Sequence, residues 1–330
     1  MSDSHTLRGD GIAATISAQG AELSSLRNAD GTELLWQAGP QWPRHAPILF
    51  PIVGRLKNDT LRHNGTTYPM TQHGFARDRR FAWVEQGHRS CKLALTDDTE
   101  TRARYPFAFR LEVTYTVDGA DLDVAFDIVN TGTETLPASL GGHPAFNWPL
   151  LPGGRKEAYA LTFAKDEPAP IRRLEGALMR QQAEPSPIRG RVLALSEQLF
   201  DDDAMILDQV ASAWVRFAAA QGPAIELSWR GFRELGIWSK VGGAAFLCIE
   251  PWHGFASPVE FDGEFAGKPG LLHIAPGAQQ SLGYRIRVSR RKNRSMCAGA
   301  ECTGDRADRW RVLVRPGLVR GQVAVMLGHA

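Results

Sequence analysis

Three short segments gather ionisable and aromatic side chains among glycines and prolines. The first runs Ala46-Pro47-Ile48-Leu49-Phe50-Pro51-Ile52-Val53-Gly54-Arg55-Leu56 and resumes at Gln72-His73-Gly74-Phe75-Ala76-Arg77-Asp78. The second is Gly141-Gly142-His143-Pro144-Ala145-Phe146-Asn147-Trp148. The third is Leu247-Cys248-Ile249-Glu250-Pro251-Trp252-His253-Gly254. Such mixtures suit a cleft where strand ends give way to loops that carry function. The residue types also suit a pyranose. Aromatic rings stack on its C–H face, and His, Asp and Arg bond its hydroxyls. Each segment combines one or two ionisable groups with an aromatic ring. His253 lies three residues after Glu250 and suggests a metal pair. Pro251 between them opposes helical spacing and no third ligand is apparent, so no metal site is expected.

The elements that must position these residues follow a period of two. Leu111, Val113, Tyr115 and Val117 alternate with polar neighbours, Asp118-Gly119 turns the chain, and Leu122, Val124, Phe126 and Ile128 alternate again. That pattern predicts a hairpin of half-buried strands. Ile12 to Ile16, Ile225 to Trp229 and Tyr284 to Val288 repeat it. The 33 glycines and 20 prolines supply frequent breaks, and only residues 194–200 suggest a short helical turn. Many short strands with turn signals predict one large antiparallel β-sandwich and an all-β fold.

Composition narrows the classes. The chain has 330 residues, 43% hydrophobic and 22% charged, enough for a core without staples and unlike a disordered segment. A formal charge of +2 gives no reason to expect nucleic acid as a partner. No segment approaches a membrane span, and the N-terminus lacks a signal-peptide pattern. The four cysteines form no CxxC pair. A reduced, cytoplasmic protein is expected, with its oligomeric state left open. Charge is unevenly spread. Residues 289–330 hold nine Lys or Arg against three Asp or Glu, whereas residues 1–288 hold 29 against 33. Two of the cysteines, Cys297 and Cys302, lie in that basic stretch.

The segments resemble the aldose 1-epimerases (galactose mutarotases), specifically the LacX-like bacterial branch, over residues 8–288. His-Pro-Ala-Phe-Asn is similar to that family's His-x-x-Phe-Asn motif. Phe-Pro-Ile-Val-Gly-Arg-Leu and Gln-His-Gly-Phe-Ala-Arg-Asp resemble its N-terminal motifs, and Cys-Ile-Glu-Pro-Trp-His-Gly its glutamate motif. The resemblance implies a cofactor-independent isomerase that interconverts sugar anomers on a large antiparallel β-sandwich. It implies Glu250 as base and His143 as acid. His73 is implied as a hydrogen-bonding partner of the sugar near its ring oxygen, and Arg55 as a substrate-binding arginine, although the spacing after Gly54 differs from the galactose mutarotases. An aspartate for distal hydroxyls is expected within Asp201-Asp202-Asp203. Asp203 is favoured because it precedes the apolar run Ala204-Met205-Ile206-Leu207. Trp252, Phe75 and Phe146 are candidate rings for the cleft wall.

The resemblance leaves the sugar free or phosphorylated. A related branch with the same Gln-His-Gly-Phe-Ala-Arg run acts on hexose 6-phosphates, and Arg55 and Arg77, with Lys57 or Arg79, are candidates for a phosphate clamp. A sugar-binding module or sensor without turnover is the reading from a different class. Glycoside hydrolysis ranks last, because it usually needs two flanking carboxylates. The resemblance ends near Val288, so residues 1–288 are expected to form the domain and residues 289–330 a basic extension. A chain ending near residue 289 is expected to keep its activity, and failure of the shortened chain to fold would contradict that.

Overall fold

The expected hairpin forms with the expected turn. Phe109–Asp118 pairs antiparallel with Asp121–Asn130, Asp118 opposite Asp121, so Gly119 and Ala120 close it. Gly119 takes φ +59°, the left-handed conformation that tight hairpin turns require. Its apolar residues are buried on one face and its polar residues point outward, as period two dictates. A computed structural model describes residues 3–290 of the chain. Expectations for residues 291–330 lie outside the described residues.

Nine strands build one antiparallel sheet around this hairpin. Their order is Val192–Ala194, Ala160–Phe163, Trp214–Ala218, Pro223–Arg230, Gln279–Arg290, Asp121–Asn130, Phe109–Asp118, Ser90–Thr96 and Ala82–Gln86. Gln279–Arg290 joins the two halves, because it pairs with Pro223–Arg230 on one side and Asp121–Asn130 on the other. This strand extends two residues beyond the expected boundary at Val288, so a truncation that spares it ends after Arg290.

A second sheet carries the chemistry-bearing segments. Its order is Met205–Leu207, Glu234–Trp238, Phe246–His253, Leu140–Gly142 and Ile48–Leu49, with Ala145–Asn147 also paired to Phe246–His253. The central strand Phe246–His253 has two inner faces. Leu247 and Ile249 join the main core with Val124, Phe126 and Ile286. Phe246 and Cys248 pack with Ala145 and Ala244, and Trp252 packs with Leu49, Val53 and Ile206, both outside that core. Glu250 therefore points away from the main core. The same alternation explains Gly141-Gly142. A Cβ on Gly142 would lie 2.5 Å from the Tyr284 ring, and one on Gly141 would lie 2.6 Å from the Trp252 ring. Both faces of this strand are packed to the backbone, which fixes where His143 emerges.

Candidate functional site

The three segments converge on one cavity of about 260 Å³. His73, Arg77, His143, Asp203, Glu250 and Trp252 line it, with Trp42, Gln72, Trp238, Gly54, Leu174, Ala204, Ile206 and Ala256. Six of the seven residues singled out in the sequence thus meet in one place. Arg55 does not. Its guanidinium is turned onto Asp59, four residues on, with Nε 2.6 Å from Oδ1 and a second contact from Nη2 to Oδ2. The short 3₁₀ turn Lys57–Asp59 carries that carboxylate back beside Arg55. Phe75 and Phe146 also leave the cleft wall. Phe75 packs among Phe50, Tyr105 and Phe109, and Phe146 is fully buried.

Glu250 sits mid-strand, opposite Gly236. His143 follows the Leu140–Gly142 strand, which pairs with Phe246–His253 on its other edge. The two strands bring His143 Nε2 to 3.1 Å from Glu250 Oε2. The separation suits proton passage, although the atoms are not aligned as a hydrogen bond in this conformation and Oε2 has no other partner among the described residues. Glu250 is 1% and His143 6% exposed, so both are almost cut off from bulk water. Burial pushes Glu250 well above the usual carboxylate range, and Asp203 adds to the rise while Trp252 opposes it. Burial pulls His143 down to about 3, helped by the Arg77 and Arg44 charges. Both directions favour a pair that shares one proton and carries no net charge. A coupled pair titrates as a unit.

Aromatic rings frame His143. Trp42 stacks on it at 4.9 Å and 25°, while Trp238 and His73 meet it edge-on at 6.0 and 5.7 Å. An indole face favours a positive ring within about 6 Å, so Trp42 offsets part of the burial cost of the imidazolium. Trp252 serves as a wall. Positions Gly141 and Gly236 press on its ring. A Cβ added at Gly236 would lie 2.5 Å from it, so a larger residue at either position would displace the ring.

His73 adopts φ +65°, and the backbone holds it there. Its N–H donates to Gly54 O at 2.7 Å, and its Nδ1 accepts from Gly54 N–H at 3.2 Å. The Gly54 amide can only donate, so the neutral ring carries its proton on Nε2, and the Gln72 side-chain amide, 3.3 Å from Nε2, must turn its oxygen toward that N–H. Burial and the nearby His143, Arg77 and Arg44 hold its pKa well below the ordinary value. His73 is therefore a neutral donor at the cavity. Gly54 is φ +72°, and a Cβ there would lie 2.5 Å from Ala256, so only glycine lets the two wall segments meet. Arg77 donates through Nη2 to Gln72 O at 2.7 Å, and its buried Nε has no hydrogen-bond partner among the described residues. Burial lowers it to about 10, which leaves it charged at neutrality.

Asp203 lines the far wall in a left-handed conformation, φ +59°. Its Oδ1 accepts from Ala204 N–H at 2.8 Å. Arg173 holds the bend that presents it. This buried guanidinium donates to Leu199 O at 3.0 Å, Asp202 O at 3.4 Å and Asp203 O at 2.8 Å. Arg180 clamps the Asp202 carboxylate at 2.8 and 2.9 Å, which removes Asp202 from the choice of three aspartates. Behind the Ala256 wall, Lys268 Nζ donates to Phe255 O at 2.6 Å and Glu234 accepts from Gly254 N–H at 2.9 Å.

Sequence reasoning missed Trp42, Trp238 and Arg173. Trp42 stands four residues before the first segment, and Trp238 is opposite Cys248 in strand register. Nothing in their local sequence marks either. Arg173 works through carbonyl oxygens about thirty residues away, which leave no trace in residue type.

The one-proton state gives a pH expectation. A reaction that uses this pair should hold a constant kcat/KM across neutral pH. It should fall on the acid side as His143 gains a second proton toward about 3. It should fall on the alkaline side as Glu250 loses the last proton. A limb near 6.5, the value of an unperturbed His, would contradict the pairing.

Comparison with known proteins gives consistent results. The family model described as aldose 1-epimerase matches residues 3–268. The plasmid-borne protein LacX of Lactococcus lactis is 31% identical over 293 residues, 86% of this chain and 98% of LacX. The structure of a galactose mutarotase related enzyme from Lactobacillus acidophilus superposes with a TM-score of 0.80 at 34% identity, covering 87% of this chain and 97% of that one. A galactose mutarotase-like protein from Lactobacillus casei gives the same TM-score at 30% identity, over 87% and 100% of the two chains.

Proposed function

The chain belongs to the aldose 1-epimerase family, and from that premise we propose that it interconverts the α and β anomers of a neutral aldose by acid–base ring opening. The observation that carries this reading is the buried pair Glu250 and His143, at 3.1 Å in the wall of a sugar-sized cavity. In its ionic tautomer the pair is a carboxylate beside an imidazolium. Glu250 takes the O1 proton, C1–O1 becomes a carbonyl as the C1–O5 bond breaks, and His143 protonates O5. The enzyme is left as carboxylic acid and neutral imidazole, which is the pair's other tautomer. Rotation about C1–C2 presents the opposite carbonyl face. O5 then attacks, returns its proton to His143, and O1 recovers its proton from Glu250. Each turnover ends where it began, with one proton on the pair, and calls on no cofactor.

His73, Arg77 and Asp203 are the sugar-holding groups in this reading. The neutral Nε2–H of His73 and the Arg77 guanidinium donate to sugar oxygens near the pair. Asp203 accepts from hydroxyls at the far wall.

The charge around the cavity favours a free sugar over a phosphorylated one. Of the four cations considered for a phosphate clamp, Arg77 alone lines the cavity. Arg55 is held by Asp59, and Arg79 is paired with Asp98 and Glu100. Asp203 adds a carboxylate that repels a phosphate dianion. A panel of glucose, galactose and glucose 6-phosphate tests this by kcat/KM for anomer exchange. The free sugars are expected to exceed the phosphate ester; the reverse order would overturn the assignment of a neutral substrate.

A further inference from the structure

The strand that carries Glu250 supplies another donor two residues earlier. Cys248 and Glu250 share a strand face, because side chains alternate along a strand. Cys248 Sγ, a ring nitrogen of His143 and a carboxylate oxygen of Glu250 all lie within 4.8 Å of one another, and all three residues are buried. Glu250 Oε2, one of the candidate donors, has no hydrogen-bond partner among the described residues. His143 and Glu250 line the cavity, so an ion held by the trio keeps one coordination position facing it. Cys91, the other described free cysteine, lies in the main core.

We propose that His143, Cys248 and Glu250 form a binding site for a soft divalent cation such as Zn²⁺, occupied in competition with the sugar. Thiolate, imidazole and carboxylate are the donors zinc takes, and three protein donors with one open position is the form of an accessible zinc site. The thiolate selects against Mg²⁺ and Ca²⁺. Bonds of about 2.0–2.3 Å in a tetrahedron separate the donors by roughly 3.3–3.7 Å. His143 Nε2 and Glu250 Oε2, at 3.1 Å, are already near that spacing. Cys248 Sγ lies within 4.8 Å of both and has to approach them to complete the site.

A thiolate, a carboxylate and a neutral imidazole around two positive charges leave the occupied site without net charge. The other charged or titratable groups around the trio are His73, Arg77 and Asp203, with Arg44 behind Arg77. Arg77 and Arg44 oppose the cation, and Asp203 favours it.

The test uses the full chain with Cys297→Ser and Cys302→Ser, because those two thiols lie outside the described residues. Zn²⁺ is expected to inhibit anomer exchange competitively with the sugar. Co²⁺ is expected to give a near-ultraviolet thiolate charge-transfer band. Cys248→Ser should remove the band and weaken Zn²⁺ inhibition on the order of 10–100-fold, with metal-free exchange unchanged. Undiminished inhibition of that variant, or a persistent band, would overturn the proposal. If the variant does not fold, the parent decides: a Co²⁺ thiolate band sustains the site, and its absence refutes it. The band needs no turnover, so it reads the cation site even if the sugar assignment fails.

Discussion

Glu250→Gln is expected to slow anomer exchange by ~10²–10⁴-fold while leaving KM nearly unchanged. The amide keeps the shape of the side chain but cannot take a proton from O1. His143→Asn should lose a similar factor, because O5 then has no acid to protonate it as the ring opens. The double variant should be little worse than the poorer single one. Protons enter and leave through both residues, and groups that act as one unit are far from additive when removed. Burial also makes these safe substitutions to interpret. Each replaces a titratable group with a neutral one of similar size, in a pair that is already neutral at pH 7. Stopped-flow polarimetry with a thermal melt on each variant separates chemistry from folding. Losses that simply multiply would show two independent groups and contradict a shared proton.

Asp203→Asn is expected to raise KM by ~10–100-fold with a small effect on kcat, since a hydrogen bond to a charged group contributes about 1.5–3 kcal/mol. Arg173→Ala should show the same split although Arg173 does not line the cavity. It fixes the carbonyls of Leu199, Asp202 and Asp203, and so holds Asp203 in its left-handed conformation. Without those bonds the bend relaxes and the carboxylate leaves the far wall. Arg173→Lys should recover part of the loss, because one ammonium cannot span three carbonyls. In the Arg173→Ala background, Asp203→Asn should cost little more. A full additional KM increase there would show that Arg173 acts on stability alone.

The fold was legible because its determinants are local. Alternation from Leu111 to Ile128, broken by Asp118-Gly119, is enough to specify one hairpin. The cleft was legible for another reason. A position such as Gly141-Gly142-His143 has to accommodate rings on both faces, and that demand leaves two glycines beside a histidine. Where a side chain's partner is set by a turn, the sequence was less informative. Arg55 has the right type in the right segment, yet the Lys57–Asp59 turn brings Asp59 close enough to take its guanidinium. The choice among three aspartates rested on the apolar run after Asp203, and the structure adds a reason of its own, the clamp of Arg180 on Asp202. Trp42, Trp238 and Cys248 gain their places only through strand pairing and loop closure, which residue spacing does not encode.

The central claim is that a buried pair sharing one proton opens and closes the ring of a neutral sugar. The most direct measurement is NMR exchange between the α and β anomers of glucose or galactose at equilibrium, with the parent protein and with Glu250→Gln at the same concentration. The parent should exchange the two anomers well above the buffer rate, and the variant should return them to it. Exchange at the buffer rate with the parent on every neutral aldose, or equal exchange with the variant, would contradict the account.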